Sequence, residues 1–464
     1  MSVFKSLFRT KPIGSHPLRE NSLRRVLTAF DLTLLGIGAI VGAGVFVLTG
    51  IAAATKAGPA VIFSYSLAGL ACAFSAFAYA ELASAIGGAG SAYGYTYAGL
   101  GEFIAWIIGW DLLLEYSVAC SAVAIGWSGY MQNILTAAGI HLPKALISNP
   151  FDGGIVNLPA VFIIFVIAWL LSKGVRESMQ VNKIIVLIKL ITILLFIVLA
   201  LGHFNPAANW HPFTPFGWDG IVQGAALVFF AYIGFDAVST AAEETVNPKR
   251  DLPIGIICSL VICTVIYIIV AGLLTGSTHY TTLNVSSPIA EALLKMGYRF
   301  GGALVGLGAI AGLTTVILVM YYGLTRICMA MARDQLLPVS LAHLNPKTKT
   351  PKRVILIGAI LMVIVAGFMP IEKVAELTNI GTLAAFTLVC LGVIIMRYTQ
   401  PNLERPFKAP FGIVIPALGV LFSLYLMLHL APTTWKSFGI WTAIGVVIYF
   451  SYSRHRSIMA EKLR

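Results

Sequence analysis

Charge is what this sequence has least of. Only 11% of its 464 residues are Asp, Glu, Lys or Arg, while 58% are hydrophobic; soluble domains carry roughly 25% charged residues. That excludes a soluble globular protein and calls for an integral membrane one. Acidic residues are scarcer than basic ones, 19 against 31, and the net charge of +12 would suit a nucleic-acid binder only if the basic residues shared one polar surface. They do not, so nucleic acid is excluded as a partner. Cysteine is sparse and unpaired in pattern. Cys72, Cys120, Cys258, Cys263, Cys328 and Cys390 all fall in or at the edge of apolar stretches with no CxxC spacing, which reads as small buried residues. The eight histidines show no ligand spacing, so no metal or other cofactor is expected. The first thirty residues lack an apolar core followed by a small-residue cleavage site, so the first apolar stretch is expected to be retained. No segment is long and polar enough for a soluble catalytic or output domain, and no nucleophile–base constellation points to an enzyme.

What is present is a series of apolar stretches, each near the 20 residues that a helix needs to cross a bilayer. Twelve can be drawn, at about 31–55, 59–86, 101–137, 156–172, 181–202, 220–245, 252–275, 300–332, 354–369, 374–396, 411–430 and 437–453. If the connections alternate sides, one side holds 24 of the 31 Lys and Arg, the other holds 6, and Lys189 falls within a stretch. The positive-inside rule then places both termini in the cytoplasm, and the basic excess becomes topology and contact with anionic membrane lipid. One outer connection reads Ser286-Ser287-Pro288-Ile289-Ala290-Glu291, a serine followed by an early proline, which predicts a short amphipathic helix over the outer mouth.

Two stretches carry glycine-containing interruptions at matching depth. The first is Gly36-Ile37-Gly38-Ala39-Ile40-Val41-Gly42-Ala43-Gly44 and the second is Phe229-Phe230-Ala231-Tyr232-Ile233-Gly234-Phe235-Asp236. Backbone leaves the helix inside a bilayer only where protein or a cavity satisfies its polar groups, and a matched pair of breaks points to a solute site at the midplane. The breaks lie five spans apart. An odd number of crossings inverts a second repeat relative to the first, so the chain divides into a cytoplasmic segment 1–30, repeats 31–202 and 203–396, and two further helices in 397–464. Gly42-Ala43-Gly44 exposes N–H groups at the positive end of a following half-helix, which suits a carboxylate; close packing of small residues is the competing reading. Carbonyls of Phe230, Ala231 and Ile233 would face an ammonium, so the pair suits a zwitterionic amino acid, with Phe230 or Phe235 as a gate.

Charged residues inside the spans are costly and so are candidates for function. Lys189 lies about 9 Å deeper than Lys183 by helix rise. It either snorkels to the cytoplasmic face or cycles between charged and neutral forms and couples protons to the solute. Asp111 and Glu115 are four apart and share a helix face. Asp236 follows the second break and can cap what comes next. Glu81 reads as structural or gating. The run from Glu243-Glu244 to Pro253 either pairs with Arg326 or Arg333 as an inner gate or is a solvated loop.

These motifs, together with Gly87-Gly88-Ala89-Gly90-Ser91-Ala92-Tyr93 and residues 325–334, resemble the amino acid–polyamine–organocation superfamily of transporters. Within it the chain is similar to bacterial relatives of the cationic amino acid transporters, and the matching stretches span nearly the whole chain in order. The resemblance implies an all-α fold of twelve transmembrane helices, a LeuT-type five-plus-five inverted repeat with helices one and six discontinuous. It implies that Ile40, Ala43 and Gly44 hold the substrate carboxylate, that Phe230, Ala231 and Ile233 take the amine, and that Met320 lines the side-chain pocket. It further implies that Lys189 stands where sodium-coupled relatives hold their ion, and that Glu115 and Asp236 handle protons or substrate. Ala43 departs from the hydroxyl residue that the family often carries there. The expectation is an amino acid permease of the cell membrane that couples protons to neutral or broad-range L-amino acids; a cationic amino acid or polyamine exchanger of the same fold is the alternative.

Overall fold

The computed structural model describes residues 7–11, 26–86, 92–174 and 179–461. Helices are the regular structure of the described residues, joined by turns and irregular connections, with one isolated bridge between Leu27 and Thr245. Each of the twelve apolar stretches carries helix. Helix α1 is Ala29–Ile40, and α2 continues past the first break as Gly44–Leu48, Thr49–Ala52 and Ala53–Ala57. Then come α3 (Val61–Ile86), α4 (Ala92–Gly99), α5 (Glu102–Ala137), α6 (Leu158–Ser172), α7 (Met179–Leu201) and α8 (Gly217–Val228). The second half comprises α9 (Pro248–Ser277), α10 (Pro288–Lys295), α11 (Arg299–Arg333), α12 (Lys352–Phe368), α13 (Ile371–Thr399), α14 (Val414–Leu428) and α15 (Pro432–Ile448). Among the described residues seven helical runs are long and apolar enough to span a bilayer by themselves, and an eighth arises if α14 and the run Pro432–Arg456 that begins with α15, bent by 115°, are taken together. Helices α1 and α6 are shorter apolar segments.

The sequence pattern shows why these helices sit where they do. On α7, Ile184, Leu187, Ile191, Leu194, Val198 and Leu201 are exposed, while Val186, Lys189, Ile193, Phe196 and Ala200 are buried. Both sets recur every three to four residues, so they are opposite faces of one helix. The apolar face points outward and the lysine inward, the reverse of a soluble helix and the arrangement that lipid requires. Inside, α5 packs on α11 and α13, and α9 packs on α1 and α3. These contacts surround the two interrupted segments.

Helix α1 begins with a reciprocal cap: Thr28 Oγ1 accepts from the Asp31 N–H, and Asp31 accepts from the Thr28 N–H at 2.9 Å. The short helix expected at Ser287-Pro288 forms as α10, but Ser287 accepts from Asn133 Nδ2 and does not cap it through its side chain. Cys258 departs from expectation: it lies on an exposed face of α9, because in a membrane a small apolar residue loses nothing by facing lipid. Residues 87–91 of the glycine motif, and the Glu243 and Glu244 side chains of the proposed inner gate, lie outside the described residues. Of the gate's two basic candidates, Arg326 donates to the Tyr322 hydroxyl at 2.9 Å and stacks over that ring.

Candidate functional site

Both interruptions occur where the glycines stand. Helix α1 stops at Ile40, and Val41 turns to extended backbone with ψ 101°. Helix α8 stops at Val228. Phe229–Tyr232 tightens to a 3₁₀ turn, Ile233 becomes extended, and Gly234 takes φ +119°, which L side chains rarely adopt. Beyond it Asp236–Glu244 continues as 3₁₀ and not as an α-helix. The two breaks cross in contact. A Cβ on Gly44 would lie 2.2 Å from Ala231 Cα, and one on Gly234 would lie 3.0 Å from the Ala39 carbonyl. Glycine at 44 therefore lets the two unwound segments touch.

Unwound backbone inside a membrane needs partners, and here side chains from four surrounding helices supply them. Lys189 on α7 is fully buried and donates through Nζ to the Gly38 carbonyl at 2.6 Å. Tyr267 on α9 reaches both breaks, its hydroxyl lying 2.9 Å from the Ile40 carbonyl and 2.9 Å from the Ala231 carbonyl. Tyr65 on α3 donates to the Gly44 carbonyl at 3.1 Å, and Tyr130 on α5 to that of Phe46 at 2.7 Å. The Ala231 carbonyl, which the sequence reading leaves free for an ammonium, is thus already shared with Tyr267. The tyrosines were missed at the sequence level. A tyrosine within a span, whose hydroxyl needs a partner when buried, is the signal that was available.

The breaks wall a small cavity of about 10 Å³. Ala39, Ile40, Gly42, Ala43 and Gly44 line it from the first break, and Phe230 and Ile233 from the second. Ala119 and Val123 of α5 and Val316 and Met320 of α11 complete it. Of the predicted contact residues, Ile40, Ala43, Gly44, Phe230, Ile233 and Met320 come together here, while Ala231 is not part of the lining. Phe235 does not reach the cavity; it packs on Tyr79 and Phe386.

The carboxylates gather in a separate buried group. Glu115 faces Asp236, Asp111 and the Thr382 hydroxyl, and the Tyr116 hydroxyl donates to Asp236 Oδ2 at 3.2 Å. Asp236 also lies beside its own N–H and those of Gly234 and Ala237. Oδ1 of Asp111 and Oδ1 of Asp236 have no hydrogen-bond partner among the described residues. Glu115 stands one turn from Ala119 on α5, so the group adjoins the cavity without lining it. Glu81 lies elsewhere. Its carboxylate accepts from Nε and Nη2 of Arg397, at 3.0 and 2.5 Å, and from the Ala409 N–H at 2.8 Å. Arg405 adds a 3.5 Å ion pair, so Glu81 ties α3 to the end of α13 and the loop that follows.

A profile for the amino acid permease family matches residues 27–459. The chain belongs to this family. Among its relatives, the methylthioribose transporter of Bacillus subtilis is 48% identical over 98% of this chain and 99% of its own length. The branched-chain amino acid permease BcaP of the same organism is 48% identical, over 97% and 98%. The human cationic amino acid transporter 4 is 36% identical over 86% of this chain and 64% of its own length. The permease is therefore a multi-pass membrane transporter and not an enzyme, and it falls in the superfamily that its glycine breaks resemble.

Proposed function

We propose that this permease is a proton-coupled symporter of neutral L-amino acids in the cell membrane, working by alternating access. The observation that carries the reading is the meeting of two backbone breaks around one cavity. The first break offers N–H groups at the start of α2, suited to a carboxylate. The second ends at the extended Ile233, whose carbonyl suits an ammonium. Substrate is held by backbone, so Ala43 in place of a hydroxyl costs little. The apolar walls and the name of the BcaP relative favour neutral side chains.

Coupling is assigned to Lys189, Glu115 and Asp236. A protonated Lys189 clamps the Gly38 carbonyl at the end of α1. On losing its proton it keeps a weaker, neutral hydrogen bond there, so the hold on the first break loosens by roughly half. Glu115 and Asp236, with Tyr116 between α5 and the second break, give the proton a place next to the cavity. Twelve spans in two inverted five-helix repeats, 31–202 and 203–396, followed by two helices in 397–464, fit the spacing of the breaks and an orientation with both termini cytoplasmic.

Uptake of L-leucine into proteoliposomes tests the coupling. An inward proton gradient should drive accumulation above equilibrium, and a protonophore should abolish it. Uptake indifferent to the gradient but dependent on internal amino acid would replace symport with exchange. The buried carboxyl group beside the cavity gives a cationic substrate its one specific support, so L-arginine belongs in the same assay. Arginine outcompeting leucine would establish that second reading.

A further inference from the structure

Two relatives of equal similarity carry names for chemically different solutes, a thiosugar and branched-chain amino acids. The side-chain end of the cavity distinguishes between them. Ala119 and Val123 are one turn apart on α5 and share a face, as do Val316 and Met320 on α11. The rest of the wall is Gly, Ala, Ile and Phe, so no lining side chain offers a hydroxyl, amide or charge. Polar recognition is left to the backbone at the two breaks, which can serve one carboxylate and one amine.

We propose that this all-carbon wall restricts the permease to amino acids with small aliphatic side chains, and that Ala119 and Val123 are specificity-determining residues. The proposal rests on the amino acid reading above and sharpens it. A substrate hydroxyl in this pocket would be buried without a partner, and a polyhydroxylated sugar would bury several. Each unpaired hydroxyl lowers affinity about ten- to a hundredfold. An aliphatic branch instead gains the burial of its methyl groups against Val123 and Val316. Position 119 is small and position 123 is branched, so the α5 side chain leaves more room at the first than at the second.

L-Valine and L-threonine have nearly the same shape and differ by a methyl against a hydroxyl, so the native protein suffices for the main test. In competition binding to purified permease in nanodiscs, valine should bind at least tenfold more tightly than threonine, and methylthioribose should not compete. Val123→Thr places a hydroxyl in the wall and should bring the valine-to-threonine ratio within threefold. Ala119→Met fills the room beside position 119 and should raise the preference for L-alanine over L-leucine at least tenfold. Equal affinity of the native protein for valine and threonine would overturn the all-carbon assignment and leave amino acid transport standing. Binding of methylthioribose with no amino acid bound would overturn both. Native ratios in both folded variants would remove α5 from the specificity site.

Discussion

Lys189 shows what a single residue can settle. A lysine six residues into an apolar helix can reach back to water or turn inward, and its place in the sequence allows either. The structure turns it inward: the residue is fully buried on the face opposite the lipid-exposed Leu187 and Ile191, with Nζ 2.6 Å from the Gly38 carbonyl. Lys183 takes the peripheral role, pairing at 2.5 Å with Asp31 while still partly exposed. A hydrogen bond from a charged donor contributes about 1.5–3 kcal/mol. Lys189→Ala should therefore lower the thermal midpoint modestly, keep counterflow exchange of leucine, and lose accumulation driven by a proton gradient. Unchanged gradient-driven accumulation in that variant would reduce Lys189 to a packing role. Ala43 teaches the converse. It is buried, with its Cβ 3.4 Å from where a Cβ on Gly126 of α5 would lie, so a larger residue would crowd α5.

At the scale of elements, the interrupted helices are held by their neighbours more than by themselves. Lys189, Tyr267, Tyr65 and Tyr130, from α7, α9, α3 and α5, bond the carbonyls of Gly38, Ile40, Gly44 and Phe46 on either side of the first break and of Ala231 in the second. The crossing of the two breaks tolerates almost no added volume. Gly44→Ala would place a methyl 2.2 Å from backbone of the second break, so the two segments would have to separate. We expect this variant to reach the membrane and lose substrate binding at least a hundredfold, read by titration of the purified protein. Near-native affinity would show that the breaks move apart freely. The 3₁₀ geometry after Gly234 was not legible beforehand. Residues 236–244 contain nothing that forbids an α-helix, and the tight turn of Phe229–Tyr232 with Gly234 at positive φ sets the chain's direction there.

For the whole molecule, charge and hydropathy govern orientation. Basic residues crowd one set of connections, 24 against 6, which predicts cytoplasmic N- and C-termini. A protease-cleavable tag at either end should be cut in inside-out vesicles and protected in intact spheroplasts. Cleavage at both ends in spheroplasts would invert the topology. On the side assigned to the cytoplasm the chain also ties itself together. Lys11 pairs with Asp334 at 2.8 Å, and buried Glu102 accepts from Tyr97 and Tyr449, both at 3.1 Å, and from Ser457. These contacts join segments at both ends of the chain to the start of α5 and the end of α11.

The sequence by itself determined the membrane class, the twelve apolar stretches and the two glycine breaks. Those features follow from solvation and backbone sterics acting on local composition. It also singled out most of the cavity lining, because Ile40, Ala43, Gly44, Phe230 and Ile233 lie at or beside the breaks. Only the tertiary structure decided that Ala119, Val123 and Val316 wall the same cavity, since small and branched residues are common on every apolar helix and nothing local marks these. It likewise decided that Tyr267 bridges two segments nearly two hundred residues apart, that Phe235 packs away from the cavity, and that Lys189 faces inward. Each of these depends on which helix packs beside which, and that is a property of the assembled bundle.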